Sequence, residues 1–128
     1  MASFVESLTV DCHDPGVLAD FWCGVLDYRR GGTEDDDVWI NDPTGNGWSM
    51  LFQVVPEGKS VKNRQHLDLR PPVSMEDEVV RLEGLGATSV RLVAEGGSFW
   101  TIMADPEGNE FCVLRGPDDG WGPDEVMT

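Results

Sequence analysis

The sequence predicts an α+β fold made of two βαβββ modules that pair around a shared cleft. Three observations carry this expectation. The turn Asp42-Pro43-Thr44-Gly45-Asn46 returns as Asp105-Pro106-Glu107-Gly108-Asn109 at an offset of 63 (from 42 to 105), and each copy runs into an apolar, strand-like stretch. Each half also repeats the order strand, amphipathic helix, three strands, with Ser7 aligned to His66 and Leu26 to Leu85 at an offset of 59. The step from 59 to 63 requires a longer hairpin in the second half. Finally, an open sheet covered by a single helix leaves one face bare, so two such modules must pair. The predicted modules are 1–60 and 61–116, forming one domain. The acidic tail 117–128, rich in Gly and Pro, is expected to be extended or mobile, with Trp121 available to lie against a neighbour.

Residues 4–11 alternate, with Val5, Leu8 and Val10 apolar and Ser7, Thr9 and Asp11 on the opposite face, which predicts a strand. Asp14-Pro15 is an N-cap followed by proline at the first helical position. Leu18, Phe21, Trp22, Val25 and Leu26 then form an apolar helical stripe. Strands are predicted near 28–32 and 38–41 around the acidic run 34–37. That run lacks the ligand spacing of a calcium loop and reads as a solvated turn. A further strand spans 48–55, and 56–60 reads as a linker.

In the second half, Gln65–Arg70 alternates, with His66, Asp68 and Arg70 on one face. Ser74 caps a helix whose stripe is Met75, Val79, Leu82 and Leu85, and Gly86 stops it. Strands follow at about 88–94, 98–104 and 109–115, separated by Glu95-Gly96-Gly97 and the Asp105 turn.

The net charge of −15 argues against a nucleic-acid backbone or an anionic membrane as partner. No apolar run approaches membrane-spanning length, and the N-terminus lacks a secretory pattern. Cys12, Cys23 and Cys112 contain no CxxC pair, so a reduced, cytoplasmic protein is expected.

The paired modules, Leu26-Asp27-Tyr28 after the first helix, the His66-Leu67-Asp68-Leu69 strand and the closing Asp105–Asn109 turn resemble the vicinal oxygen chelate superfamily over about residues 4–115. This group includes glyoxalase I, bleomycin-resistance proteins and extradiol dioxygenases, and the chain looks closest to its small glyoxalase-like domain proteins. The resemblance implies a small-molecule ligand, a homodimer and a divalent metal held by two side chains from each module, acting as a Lewis acid. Carried over by position, the ligands fall on Ser7, on Gln53 or Ser49, on His66 and on Cys112. Only His66 is a usual ligand there.

The expectation is therefore a small-molecule-binding protein with a degenerate metal site and no cofactor. Ser7, Thr9, Gln53, His66, Asp68, Arg70, Trp100 and Cys112 are its ligand-binding candidates. Trp39 or Trp100, with Phe99, would stack on a flat ligand. One alternative is a metal-dependent lyase, isomerase or dioxygenase at an atypical divalent-metal site of His66, Glu110 and Cys112. Without a metal, the same side chains would act through a Cys112 thiolate activated by His66, or through His66 with Glu110 or Asp68 as a general acid/base pair, so the catalytic candidates are His66, Glu110 and Cys112. A second alternative is a resistance protein that sequesters a cationic antibiotic.

Overall fold

Asp14 and Ser74 begin the two helices where the sequence predicts them. In the computed structural model, which describes residues 1–122, the Asp14 carboxylate accepts from the Val17 amide and the Ser74 hydroxyl from that of Asp77. Each side chain thus satisfies a helix-terminal N–H that has no partner within its helix. The chain divides into two compact units, Met1–Ser60 and Val61–Thr128.

Unit 1 contains β1 (Ser7–Cys12), α1 (Pro15–Leu26), β2 (Arg29–Glu34), β3 (Asp37–Asn41) and β4 (Ser49–Val54). Unit 2 contains β5 (Asp68–Leu69), α2 (Met75–Leu85), β6 (Thr88–Glu95), β7 (Ser98–Ala104) and β8 (Glu110–Leu114). The sheets run β1-β4-β3-β2 and β5-β8-β7-β6, with the first pair of each parallel and the rest antiparallel. These are the two repeated α+β modules that the duplicated turns predict.

The hairpin step also has a source. Strands β6 and β7 have 8 and 7 residues where β2 and β3 have 6 and 5. Gly96 (φ 61) and Gly97 (φ 81) close the longer hairpin in the left-handed region that glycine favours.

One face of each sheet lies against its helix. In unit 1, Leu18, Phe21, Trp22, Ile40, Met50 and Phe52 are buried, and Phe21 and Trp22 meet edge to face at 5.2 Å. In unit 2 the buried set includes Met75, Leu82, Met103, Phe111 and Val113. Each such side chain contributes about 1.5–3 kcal/mol of burial. Leu85, predicted in the apolar stripe, is 40% exposed, and Glu78 is buried instead, its carboxylate held two-pronged by Arg81 at 2.7 and 2.9 Å.

Several boundaries differ from expectation. Phe4 and Val5 are exposed and precede β1, because β4 supplies a parallel partner only from Ser49 onward. Trp48 likewise stands outside its strand and is exposed. The alternating 65–70 stretch shortens to Asp68–Leu69, leaving His66 on the approach to the strand.

Residues 117–122 were expected to be extended or mobile, yet a turn of 3₁₀ helix (Pro117–Asp119) folds back on unit 2. The Asp119 carboxylate accepts from the amides of Met75 and Gly116, and Trp121 lies 4.1 Å from the Arg70 guanidinium. Gly116 allows this return, since a Cβ there would overlap the Val73 carbonyl oxygen. The remainder of the predicted tail, 123–128, lies outside the described residues. Among the described residues, no helix is long and apolar enough to cross a membrane.

The two repeated turns use one device. Gly45 and Gly108, three residues after each Asp, have positive φ and donate to the carbonyl of Asp42 and Asp105. Asp42 also accepts from the Thr44 hydroxyl, the Thr44 amide and the Gly47 amide, at 2.7, 2.8 and 2.7 Å. These bonds, the hydroxyl's first, lower its pKa from the ordinary 3.8. A depressed folded pKa contributes stability above the unfolded value and loses it as pH falls through the folded one. The contribution of Asp42 to stability is therefore expected to fade as pH falls below about 4, and Asp42→Asn should remove that part of the pH dependence. An identical acid profile for the variant, followed by circular dichroism, would exclude this role.

Candidate functional site

Strand register decides what each sheet presents on the face away from its helix. In unit 2, β8 pairs with β7 through Trp100↔Leu114, Ile102↔Cys112 and Ala104↔Glu110, so these six residues share the open face. Asp68 stands opposite Cys112 across the parallel β5–β8 pair, and His66 precedes Asp68 by two. Trp100 thus faces outward from the sheet. Phe99, of opposite parity, does not line this face and instead lies 5.9 Å from the Arg115 guanidinium.

The open-face residues other than Ala104, with His66 and Asp68, line a basin of about 430 Å³ belonging wholly to unit 2. Trp100, Ile102, Phe111 and Leu114 supply its apolar walls, and His66, Asp68, Glu95, Glu110 and Lys62 its polar ones. His66 Nδ1 and Asp68 Oδ1 are 3.0 Å apart, both side chains being half-exposed. Glu110 is held by Lys62 Nζ at 3.2 Å and by the Asn63 amide at 3.1 Å, and its own amide donates to Asn63 Oδ1 at 3.3 Å.

Cys112 is buried, and burial is the main force raising its thiol from 9.0 to about 11. The Asp68 charge, and a hydrogen bond to it, push the same way. At neutral pH Cys112 is a thiol that donates to Asp68. Burial and the Asp68 carboxylate, opposed only by the Lys62 charge, thus work against a reactive Cys112 thiolate.

Of the ligand-binding candidates, His66, Asp68, Trp100 and Cys112 all line the basin, as does Glu110. Arg70 does not; its Nη1 donates to the Arg115 carbonyl at 2.8 Å and Trp121 stacks on it. Lys62 and Glu95 join the lining without having been singled out, and only the tertiary structure brings those two residues there.

Ser7, Thr9, Gln53 and Trp39 lie on the open face of the unit 1 sheet, where Ser7 pairs with Ser49, Thr9 with Leu51 and Asp11 with Gln53. The residue opposite Thr9 is the counterpart of the residue opposite Asp68. The last-strand ligand position of the first module therefore falls on Leu51, between the Ser49 and Gln53 that alignment offered. The reason is the turn before β4, which at 42–48 is two residues longer than the turn 105–109 before β8.

A metal held by two ligands from each module thus finds no adequate donors in unit 1: Ser7 is a poor ligand, Leu51 none, and Ser49 Oγ is bonded to Asn41 Oδ1 at 2.6 Å. Unit 2 behaves differently. Potential ligand atoms of His66, Asp68 and Cys112 all lie within 4.8 Å of one another, the group of this kind among the described residues. Asp68, and not Glu110, supplies its oxygen donor. Such a donor set fits a divalent ion that accepts nitrogen, oxygen and sulfur.

A glyoxalase-like domain family model matches residues 7–114. No curated protein matches the chain significantly. Among solved structures, a glyoxalase-related enzyme from Fulvimarina pelagi is 19% identical with a TM-score of 0.67, the match covering 99% of this chain and 98% of that one. The fosfomycin resistance protein FosX from Listeria monocytogenes, complexed with Mn(II) and sulfate, is 12% identical with a TM-score of 0.71, over 91% and 92%. A glyoxalase/bleomycin resistance protein/dioxygenase family enzyme from Burkholderia phytofirmans is 14% identical with a TM-score of 0.67, over 84% and 94%. At these identities the neighbours speak for the fold, while the family match spans most of the sequence. The chain belongs to the glyoxalase-like domain family of the vicinal oxygen chelate superfamily.

Proposed function

We propose that this protein binds a small organic molecule in the unit 2 basin, and that its ligand is neutral or cationic with a flat apolar part. The observation that carries this reading is the pairing of an apolar wall (Trp100, Ile102, Leu114) with a few convergent polar groups (His66, Asp68) in about 430 Å³, the composition of a ligand pocket. Charge argues the sign. Asp68, Glu95 and Glu110 line the basin, and Glu110 neutralises Lys62 at 3.2 Å. An anion such as the dihydroxypropylphosphonic acid bound by a Listeria FosX variant would meet net negative charge here. A cationic antibiotic would not, so drug sequestration is a special case of the same reading. Homodimerisation and a cytoplasmic location belong to the proposal as well, supported by family resemblance and by three cysteines that form no disulfide.

The test is a thermal-shift panel of neutral, cationic and anionic compounds, since a ligand that binds the folded state stabilises it by mass action. Neutral or cationic aromatic compounds should raise the melting temperature. Trp100→Ala should weaken such a ligand by about tenfold or more, the loss of roughly 1.5 kcal/mol of aromatic contact. A panel in which only anions stabilise the protein, or hits indifferent to Trp100→Ala, would overturn the assignment.

A further inference from the structure

Strand β6 is the outer edge of the unit 2 sheet and pairs on one side only, with β7. Its residues are mostly exposed, Val90 to 58% and Leu92 to 62%. Among the described residues, no other segment bonds the backbone of its free side. Such an edge carries a row of N–H and C=O groups able to take a further strand. A register shift at Val90 blunts its first half, whereas Arg91–Glu95 run against Ile102–Ser98 without interruption. The outer edge of unit 1 is less suited, because the register of β2 shifts between Arg30 and Thr33, across Gly31 and Gly32.

The sequence of the regular half selects its partner. Arg91, Val93 and Glu95 share the open face with Trp100 and Ile102, and Leu92 and Ala94 point the other way. A copy laid antiparallel about Val93 brings Arg91 opposite Glu95 twice, Leu92 opposite Ala94 twice, and Val93 opposite Val93. Centring on Arg91 or Glu95 instead sets like charges face to face, and centring on Leu92 or Ala94 leaves the charges unopposed. Within the chain, among the described residues, neither Arg91 nor Glu95 is engaged in an ion pair.

We propose that β6 is a self-association edge, through which two copies of this chain pair antiparallel over Arg91–Glu95 with Val93 at the centre. The two four-stranded unit 2 sheets then become one continuous sheet. Glu95 lines the basin, so Arg91 of the partner subunit neutralises an acidic group at its rim and the site is shared between copies. The inference rests on the homodimer proposed above and names its surface; it needs no ligand in the basin. Five residues from each chain make a small interface, and the charge of −15 on each copy opposes association. The dimer therefore belongs to the weak class, with a dissociation constant of roughly micromolar order.

Sedimentation velocity over a dilution series, at about 0.15 M salt to screen the remote charges, measures the association. Arg91→Glu and Glu95→Arg should each weaken the dimer by about tenfold or more, since each sets two like-charged pairs face to face. The double variant restores opposite charges and should regain the wild-type constant, a rescue that misfolding would not give. Val93→Cys supplies an independent measurement. Opposed residues stand about 4.5–5.5 Å apart at Cα, within disulfide reach, so mild oxidation should bridge the two introduced thiols. Leu92→Cys, whose copies lie two residues out of register, should not bridge. The wild type, with Cys12 and Cys112 buried, is the control. A wild type that stays monomeric throughout would overturn the interface and the homodimer together. A dimer indifferent to both charge reversals, a double variant as weak as the single ones, or Leu92→Cys bridging as readily as Val93→Cys would overturn this interface and leave the homodimer standing.

Discussion

Truncating Phe111 to alanine is expected to destabilise unit 2 by about 3–5 kcal/mol. Phe111 is 1% exposed, next in sequence to Cys112 and register partner of Met103, which is fully buried. Removing the ring loses its transfer free energy and leaves a void that β7 and α2 cannot close without moving the backbone. Urea titrations of wild type and variant, read by near-ultraviolet circular dichroism and tryptophan fluorescence, measure the difference. A loss below about 1 kcal/mol would mean that this core collapses around the gap. The same variant is expected to weaken the binding of a ligand proposed for the basin, since Phe111 also lines it.

Asp105→Ala should cost about 2–4 kcal/mol, because a nearly buried carboxylate there satisfies several donors at once. Its Oδ1 accepts from the amides of Glu107 and Asn109, both at 2.9 Å, and the Asn109 side-chain amide reaches Oδ1 at 3.2 Å and Oδ2 at 3.0 Å. Alanine leaves these N–H groups unpaired in a site where Asp105 is 4% exposed. Asp105→Asn keeps one acceptor oxygen and is expected to lose less than half as much. Equal losses for the two variants in chemical denaturation would show that charge, and not the count of accepted bonds, makes the turn stable. The matching Asp42 turn lies in the open, so its substitution should be milder.

Much of this fold is legible in the residues. Asp14-Pro15, Ser74 and Gly86 mark helix ends because capping acts over three or four residues. The Gly96-Gly97 hairpin and the Asp42 and Asp105 turns are equally local, since a positive φ or an Asp side chain bonded two residues on needs nothing distant. The site was legible in part. His66 and Asp68 were placed on one face by strand parity and Cys112 was added by the family resemblance, while Arg70, with the same parity as His66, was drawn away by the Arg115 carbonyl and Trp121. Glu110 also shares that face, yet Lys62 and Asn63 hold its carboxylate. Parity gives a side chain's direction, but competition among partners decides where its charged end rests.

By itself, then, the sequence determined the duplicated βαβββ order, the caps and turns, and the absence of usual metal ligands in the first module. Only the tertiary structure decided that Leu51 stands where Cys112 has its counterpart, that Trp100 faces the basin, and that Asp68 completes a group with His66 and Cys112. The physical reason is register. Two extra residues in one turn shift every pairing after it, and a side chain's neighbours across a sheet come from strands whose alignment no local pattern encodes.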